Sequence, residues 1–195
     1  MEKIGKYLLG IGMWAVLTAC PPRCDLITLD FGELSGEVLE MVPYIHGASY
    51  GFRHSAGQEV YFLVDRQNSV ITDFWEECTQ VTYGTDHTIM MPDYPLFDMG
   101  FWIYKVDSIH VMHQATIGTS TFILPLTQAY DPGFGKLLDS VKVSGKWFRD
   151  VYRVIPLNSA YQTQGEILAD TLWFNTDFGI LKFTMTGGEY FEILP

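Results

Sequence analysis

The sequence predicts a mostly β protein: an antiparallel β-sandwich or an open or half β-barrel of roughly ten strands, with at most one or two short helices. Three observations carry this. Short segments rich in aromatic and β-branched residues recur along the chain, each closed by Gly, Asn or Asp, at the roughly eight- to twelve-residue spacing of sandwiches and barrels. Towards the end of the chain Leu181, Phe183 and Met185 alternate with Lys182 and Thr184, a period of two that assigns one face to the core. Helical signal is thin, so strands are expected to be joined by hairpins and paired antiparallel, because parallel strands need longer crossovers.

The elements follow in order. GELSGEVLEMV has room for two helical turns, limited by Gly36 and Pro43. ASYGFRH and QEVYFLVD read as a hairpin about SAG, and CTQVTYG and HTIMM flank a second turn at Thr85-Asp86. GFWIYKVD, IHVMHQAT and STFILPL follow the PDYP turn. FGKLLDS, after Asp131-Pro132-Gly133, is a second short helix candidate. DSVKVS and WFRDVYRVI pair around Gly145-Lys146, and ADTLWFN, GILKFTM and EYFEIL close the chain through the turns NTDFG and TGG. Gly179 and the Gly187-Gly188 pair are expected to supply the turn conformations.

Lys3 and Lys6 precede an uncharged segment from Tyr7 to Ala19, which at 1.5 Å per residue is too short for a hydrocarbon core of about 30 Å. A basic start, a short apolar core and a small-residue exit describe a secretory signal. Leu17-Thr18-Ala19-Cys20 resembles the bacterial lipobox. The resemblance implies a signal peptide over residues 1–19, removed on processing, and a lipid on Cys20 that attaches the protein to a membrane. The competing reading is an uncleaved anchor or a plain signal peptide. Residues 20–24 form a lipidated linker, and 25–195 a single β-rich domain, since no Ser/Gly-rich stretch or charge run marks a boundary.

Cys24 and Cys78 remain as free side chains. Export to an oxidising compartment and an even count read as one disulfide, worth about 4 kcal/mol by loop-closure entropy. Without residues 1–19 the chain keeps 10 basic and 22 acidic side chains, a formal charge of −12. That balance argues against nucleic acid, or an anionic lipid surface, as the main partner.

MVPYIHGASYGFRHSAGQEVYFLVD, the cysteine strand near EECTQVTYG and the closing DTLWFNTDFGILKFTMTGGEYFEIL together resemble the small lipoproteins abundant in Bacteroidota. The closing hairpin is similar, to a lesser degree, to the open barrels of the lipoprotein-localisation type. The resemblance implies a cell-envelope location, on the outer membrane and facing the periplasm or the cell surface, and supplies no catalytic residues.

Few residues stand in the patterns that catalysis or metal binding requires. His110 and His113 are three apart, which on a strand directs them to opposite faces. The serines near Gly118 and Gly145 lack the GxSxG pattern, and Gly133-Phe134-Gly135 lacks the Lys-Ser/Thr of a phosphate loop. No metal or cofactor is expected, and no enzyme activity. Aromatic residues make up 15% of the chain, and most belong in a core. If some line a groove, Trp102, Tyr104, Trp147 and Trp173 are the candidates for binding a hydrophobic or other small ligand. The expectation is thus a lipid-anchored binding module, with a structural or accessory subunit of an envelope complex as the alternative.

Overall fold

The computed structural model describes residues 24–93, 97–127, 135–157 and 168–195. Among the described residues twelve strands form one sheet, and eleven of them follow one another in a nearly closed, barrel-like wrap. The wrap begins with β2 (Ser49–His54) and β3 (Glu59–Glu76), which pair antiparallel from Ser49↔Leu63 to Arg53↔Glu59. It continues through β4 (Thr79–Pro92), β5 (Met99–Lys105), β6 (Val111–Ile117) and β7 (Ser120–Ile123), each antiparallel to the one before. On the other side of β2 lie β12 (Tyr190–Ile193), β11 (Gly179–Met185), β10 (Ala169–Asn175), β9 (Lys146–Val154) and β8 (Gly135–Val143). The exception to antiparallel pairing is β1 (Ile27–Asp30), which runs parallel to β4 over Thr79–Thr82.

The sheet curls until β7 meets β10. The Ser120 hydroxyl accepts from the Ala169 N–H at 2.9 Å and donates to the Ala169 carbonyl at 2.8 Å, while the Leu157 N–H donates to Thr121 at 2.8 Å. One side chain thus supplies both halves of a backbone pair at the seam, which would otherwise leave buried groups unsatisfied.

The interior is filled by large side chains, which follows from the alternation along each strand. Phe52, Phe62, Phe183 and Phe191 are buried and pack ring on ring with the half-buried Phe97. One end is plugged by α1 (Gly36–Glu40) and the loop after it. Ser35 caps this helix by accepting from the Val38 N–H at 3.4 Å. The Arg66 guanidinium holds the plug in place: it donates to the carbonyls of Leu39, Val42 and Tyr44 at 2.7–2.8 Å and to both carboxylate oxygens of Asp86 at 3.0–3.1 Å. Tyr44 reaches the far wall, where its Oη accepts from the Ile180 N–H at 2.7 Å. Burial raises the Tyr44 hydroxyl well above its ordinary pKa, so it stays neutral.

Several expected elements differ. The anticipated turn at Thr85-Asp86 is continuous β4, because Asp86 is buried against Arg66 and Gly84 is a close-packing site. A Cβ on Gly84 would lie 2.5 Å from the Leu34 backbone nitrogen. FGKLLDS is strand from Gly135 onward, because it pairs with β9 along its length. The twelve strands among the described residues agree with the roughly ten expected. Leu181 packs with Val143 and Val151, apart from the Phe183 and Met185 cluster, because a register shift between Trp173 and Phe174 interrupts the alternation. Of the closing turns, Gly179 and Gly188 adopt positive φ, at 78° and 85°.

The longest hairpin is β3–β4. Beyond the reach of β2 and β5 it continues as an extension carrying β1 on one edge, with Gln67–Glu76 exposed throughout. At its far end Cys24 and Cys78 lie at disulfide distance, with Cα atoms 6.0 Å apart.

Candidate functional site

Among the described residues, a well-formed concavity lies outside the barrel, beneath the β8–β9 arm. Past Tyr152, β9 leaves β10, and the arm folds back over the outer side of β11 and β12. The departure is marked by Asp150, a non-glycine residue at φ 52°. Asn175 secures it: Nδ2 donates to the Arg149 carbonyl at 2.8 Å, while Oδ1 accepts from the Asp177 and Phe178 N–H groups. The arm's tip, with Ser144 and Gly145 at φ 46° and 84°, has the positive-φ pair of a tight hairpin turn. Ser144 donates from its N–H and hydroxyl to Glu192 at 3.3 Å, and the other Glu192 oxygen accepts from Lys182 at 2.8 Å.

The result is a cleft of about 610 Å³ whose lining includes Trp147, Phe148, Phe178 and Ile193, with Lys146, Arg149, Asp150 and Asp177 also present. Phe148 and Phe178 meet edge to face at 5.2 Å. Trp147 is 69% exposed, the fullest solvent exposure of any large aromatic described. The volume falls within the range of small-molecule sites, and aromatic walls with a few charged groups suit an amphipathic ligand.

The four aromatic candidates do not converge. Trp147 lines this cleft. Trp102 and Tyr104 line a shallower hollow of about 280 Å³ on the outer face of β3–β6, with Ile71, Tyr83 and Gln114. There Trp102 stacks on His87 at 4.6 Å. Trp173 lines neither; it is half-buried beneath Arg153 and Lys182, whose cationic groups lie 6.0 and 5.8 Å from its ring. Cys20 lies outside the described residues. What sequence reasoning missed is the arm's hinge: Asp150 and Asn175 are ordinary strand and turn residues until the fold brings them together.

The titratable groups with displaced pKa values stand apart from the cleft. His113 is buried inside the barrel, and loss of hydration lowers its pKa to about 4. The nearby Val38 backbone opposes this shift but lies outside hydrogen-bonding geometry, so both ring nitrogens lack partners. Asp107, on an exposed loop, is lowered to about 2 by the side chain and backbone of His110. The two histidines therefore occupy separate environments, because β6 begins at Val111 and leaves His110 on the exposed loop, while His113 on the strand points into the barrel. Among the described residues no three His, Cys, Asp or Glu side chains group as metal ligands would.

No family model matches the chain, and neither a curated protein nor a solved structure shows significant similarity to it.

Proposed function

We propose that the protein is a lipid-anchored component of the bacterial cell envelope, held in the outer membrane through Cys20, that acts by binding rather than catalysis. The cleft beneath the β8–β9 arm receives a hydrophobic or amphipathic small ligand. The observation that carries this is the combination of about 610 Å³ of accessible space, an exposed Trp147 and the Phe148–Phe178 wall, outside a barrel whose interior is already filled. The lipid rests on the Leu17-Thr18-Ala19-Cys20 pattern, and the exported location on the same pattern and the Cys24–Cys78 pair.

Titration with anilinonaphthalene sulfonate, an apolar anion suited to aromatic walls beside Lys146 and Arg149, tests the cleft. Saturable binding to the folded protein, weakened about tenfold (~1.4 kcal/mol) in Trp147→Ala and Phe178→Ala at unchanged melting temperature, is the expected result. Equal binding by both variants refutes it.

A second reading, an accessory subunit of an envelope complex, is supported by the hollow around Trp102. Ile71 and Trp102 are left 39% and 47% exposed on an outer sheet face. Site-specific photocrosslinking at position 102 in intact cells should then give one discrete adduct, and none if that face stays in solvent.

A further inference from the structure

We infer that the far end of the β3–β4 extension rests on the membrane, with Phe74 and Trp75 seated at the headgroup level of a zwitterionic lipid surface. This rests on the reading of Cys20 as the lipidated residue. Four residue steps separate Cys20 from Cys24, a reach of at most about 14 Å even when fully extended. Cys24 in turn sits 6.0 Å from Cys78, Cα to Cα, at the turn of the hairpin. The anchor therefore cannot move away from the tip: whatever the barrel does, the end carrying Cys78 stays within about 20 Å of the lipidated residue.

The tip is built for such a boundary. Phe74 and Trp75 are 60% and 44% exposed, and Leu26 and Ile27 on the adjoining β1 are 58% and 55% exposed. Phe74 continues the face that carries Val60, Phe62 and Val64 into the core. Trp75 lies on the other face, against Phe31 and Tyr83 at 5.4 and 5.8 Å. A protein partner docked on one face would leave the other ring in water, whereas immersion of the tip in an interface covers both. Aromatic rings with a polar edge prefer that depth.

Charge sets the depth and the kind of lipid. Asp25, Asp73, Glu76 and Glu77 are exposed around the tip, and no Lys or Arg occurs from Cys24 to Asp30 or from Gln67 to Thr82. Carboxylates are costly in hydrocarbon and are repelled by an anionic surface, so the tip stays among headgroups of no net charge. Trp102, opposite His87 and nine residues along β4 from Cys78, is held about 30 Å away and stays out of the lipid.

The test uses the lipidated mature protein in phosphatidylcholine vesicles whose acyl chains are brominated near the headgroup, with quenching of tryptophan emission as the readout. Quenching should be at least halved in Trp75→Phe, unchanged in Trp102→Phe, and reduced in Phe74→Glu, whose exposed position spares the fold. Lipidated protein in which Trp75→Phe quenches as much as the parent overturns the inference and leaves the anchor standing. An intact mass without lipid on Cys20 overturns both.

Discussion

Asp86→Ala should be among the most damaging single changes in the protein, although Asp86 does not line the cleft beneath the arm. The carboxylate is 1% exposed and takes both its oxygens to Arg66 Nε, while the remaining guanidinium nitrogens hold three carbonyls of the plug. Removing it leaves a largely buried cation without its counter-charge, at a cost of about 3–5 kcal/mol. For a domain of this size each kcal/mol shifts the melting temperature by roughly 2–4 °C, so a fall of about 6–20 °C is expected. Arg66→Met combined with Asp86→Leu should recover part of that loss, because no unpaired charge remains. The carbonyls of Leu39, Val42 and Tyr44 would still lack their donor, leaving a deficit of about 2 kcal/mol. Urea denaturation of Asp86→Ala beside the parent measures the loss, and the parent, Arg66→Met, Asp86→Leu and the double variant close the cycle. An Asp86→Ala protein within about 1 kcal/mol of the parent would refute the plug as an electrostatically fastened element.

Three further outcomes are expected. Phe183→Ala removes a fully buried ring that touches Phe52, Phe97 and Phe191, and should cost about 3–5 kcal/mol in urea denaturation; a loss below about 1 kcal/mol would place Phe183 outside the core. His113 binds its proton near pH 4 when folded and near 6.5 when unfolded, so its contribution is complete above about pH 6.5 and lost as pH falls to about 4, a swing of about 3 kcal/mol. The pH dependence of the parent minus that of His113→Leu should show this swing, and parallel profiles would dismiss it. Gly179→Ala places a Cβ against the Tyr44 hydroxyl at a residue with φ 78°, so it should lower the melting temperature more than Gly187→Ala, where the space is open.

The closing strands were legible in the sequence because one face of each is core, so Phe183 and Met185 stand out against Lys182 and Thr184. The outer half of β3 was not. Gln67–Glu76 is exposed on both faces, which removes the burial that creates a period of two, and its strand character comes from pairing with β4 alone. Thr85-Asp86 looked like a turn because local chemistry cannot show that Arg66, twenty residues earlier, will neutralise the aspartate inside the barrel. FGKLLDS carries adjacent leucines and no β-branched residue, so local preference favoured a helix that tertiary pairing overrode. The cysteine pair was readable from arithmetic. The aromatic candidates were readable as a class, yet their separation into a cleft, a hollow and a cation-capped ring depends on strand order, which no local pattern encodes.

The Cys24–Cys78 pair also decides how the molecule bears force. Tension applied to the chain ahead of Cys24 would, with β1 alone as the attachment, peel its four-residue pairing with β4 one rung after another. A disulfide between the two cysteines would redirect that tension to the turn between β3 and β4, loading both strands along their length, so that their rungs to β2 and β5 must yield together. Reduction of the bond should therefore convert a stiff attachment into a soft one without altering the barrel, a change visible as a lower rupture force in single-molecule pulling.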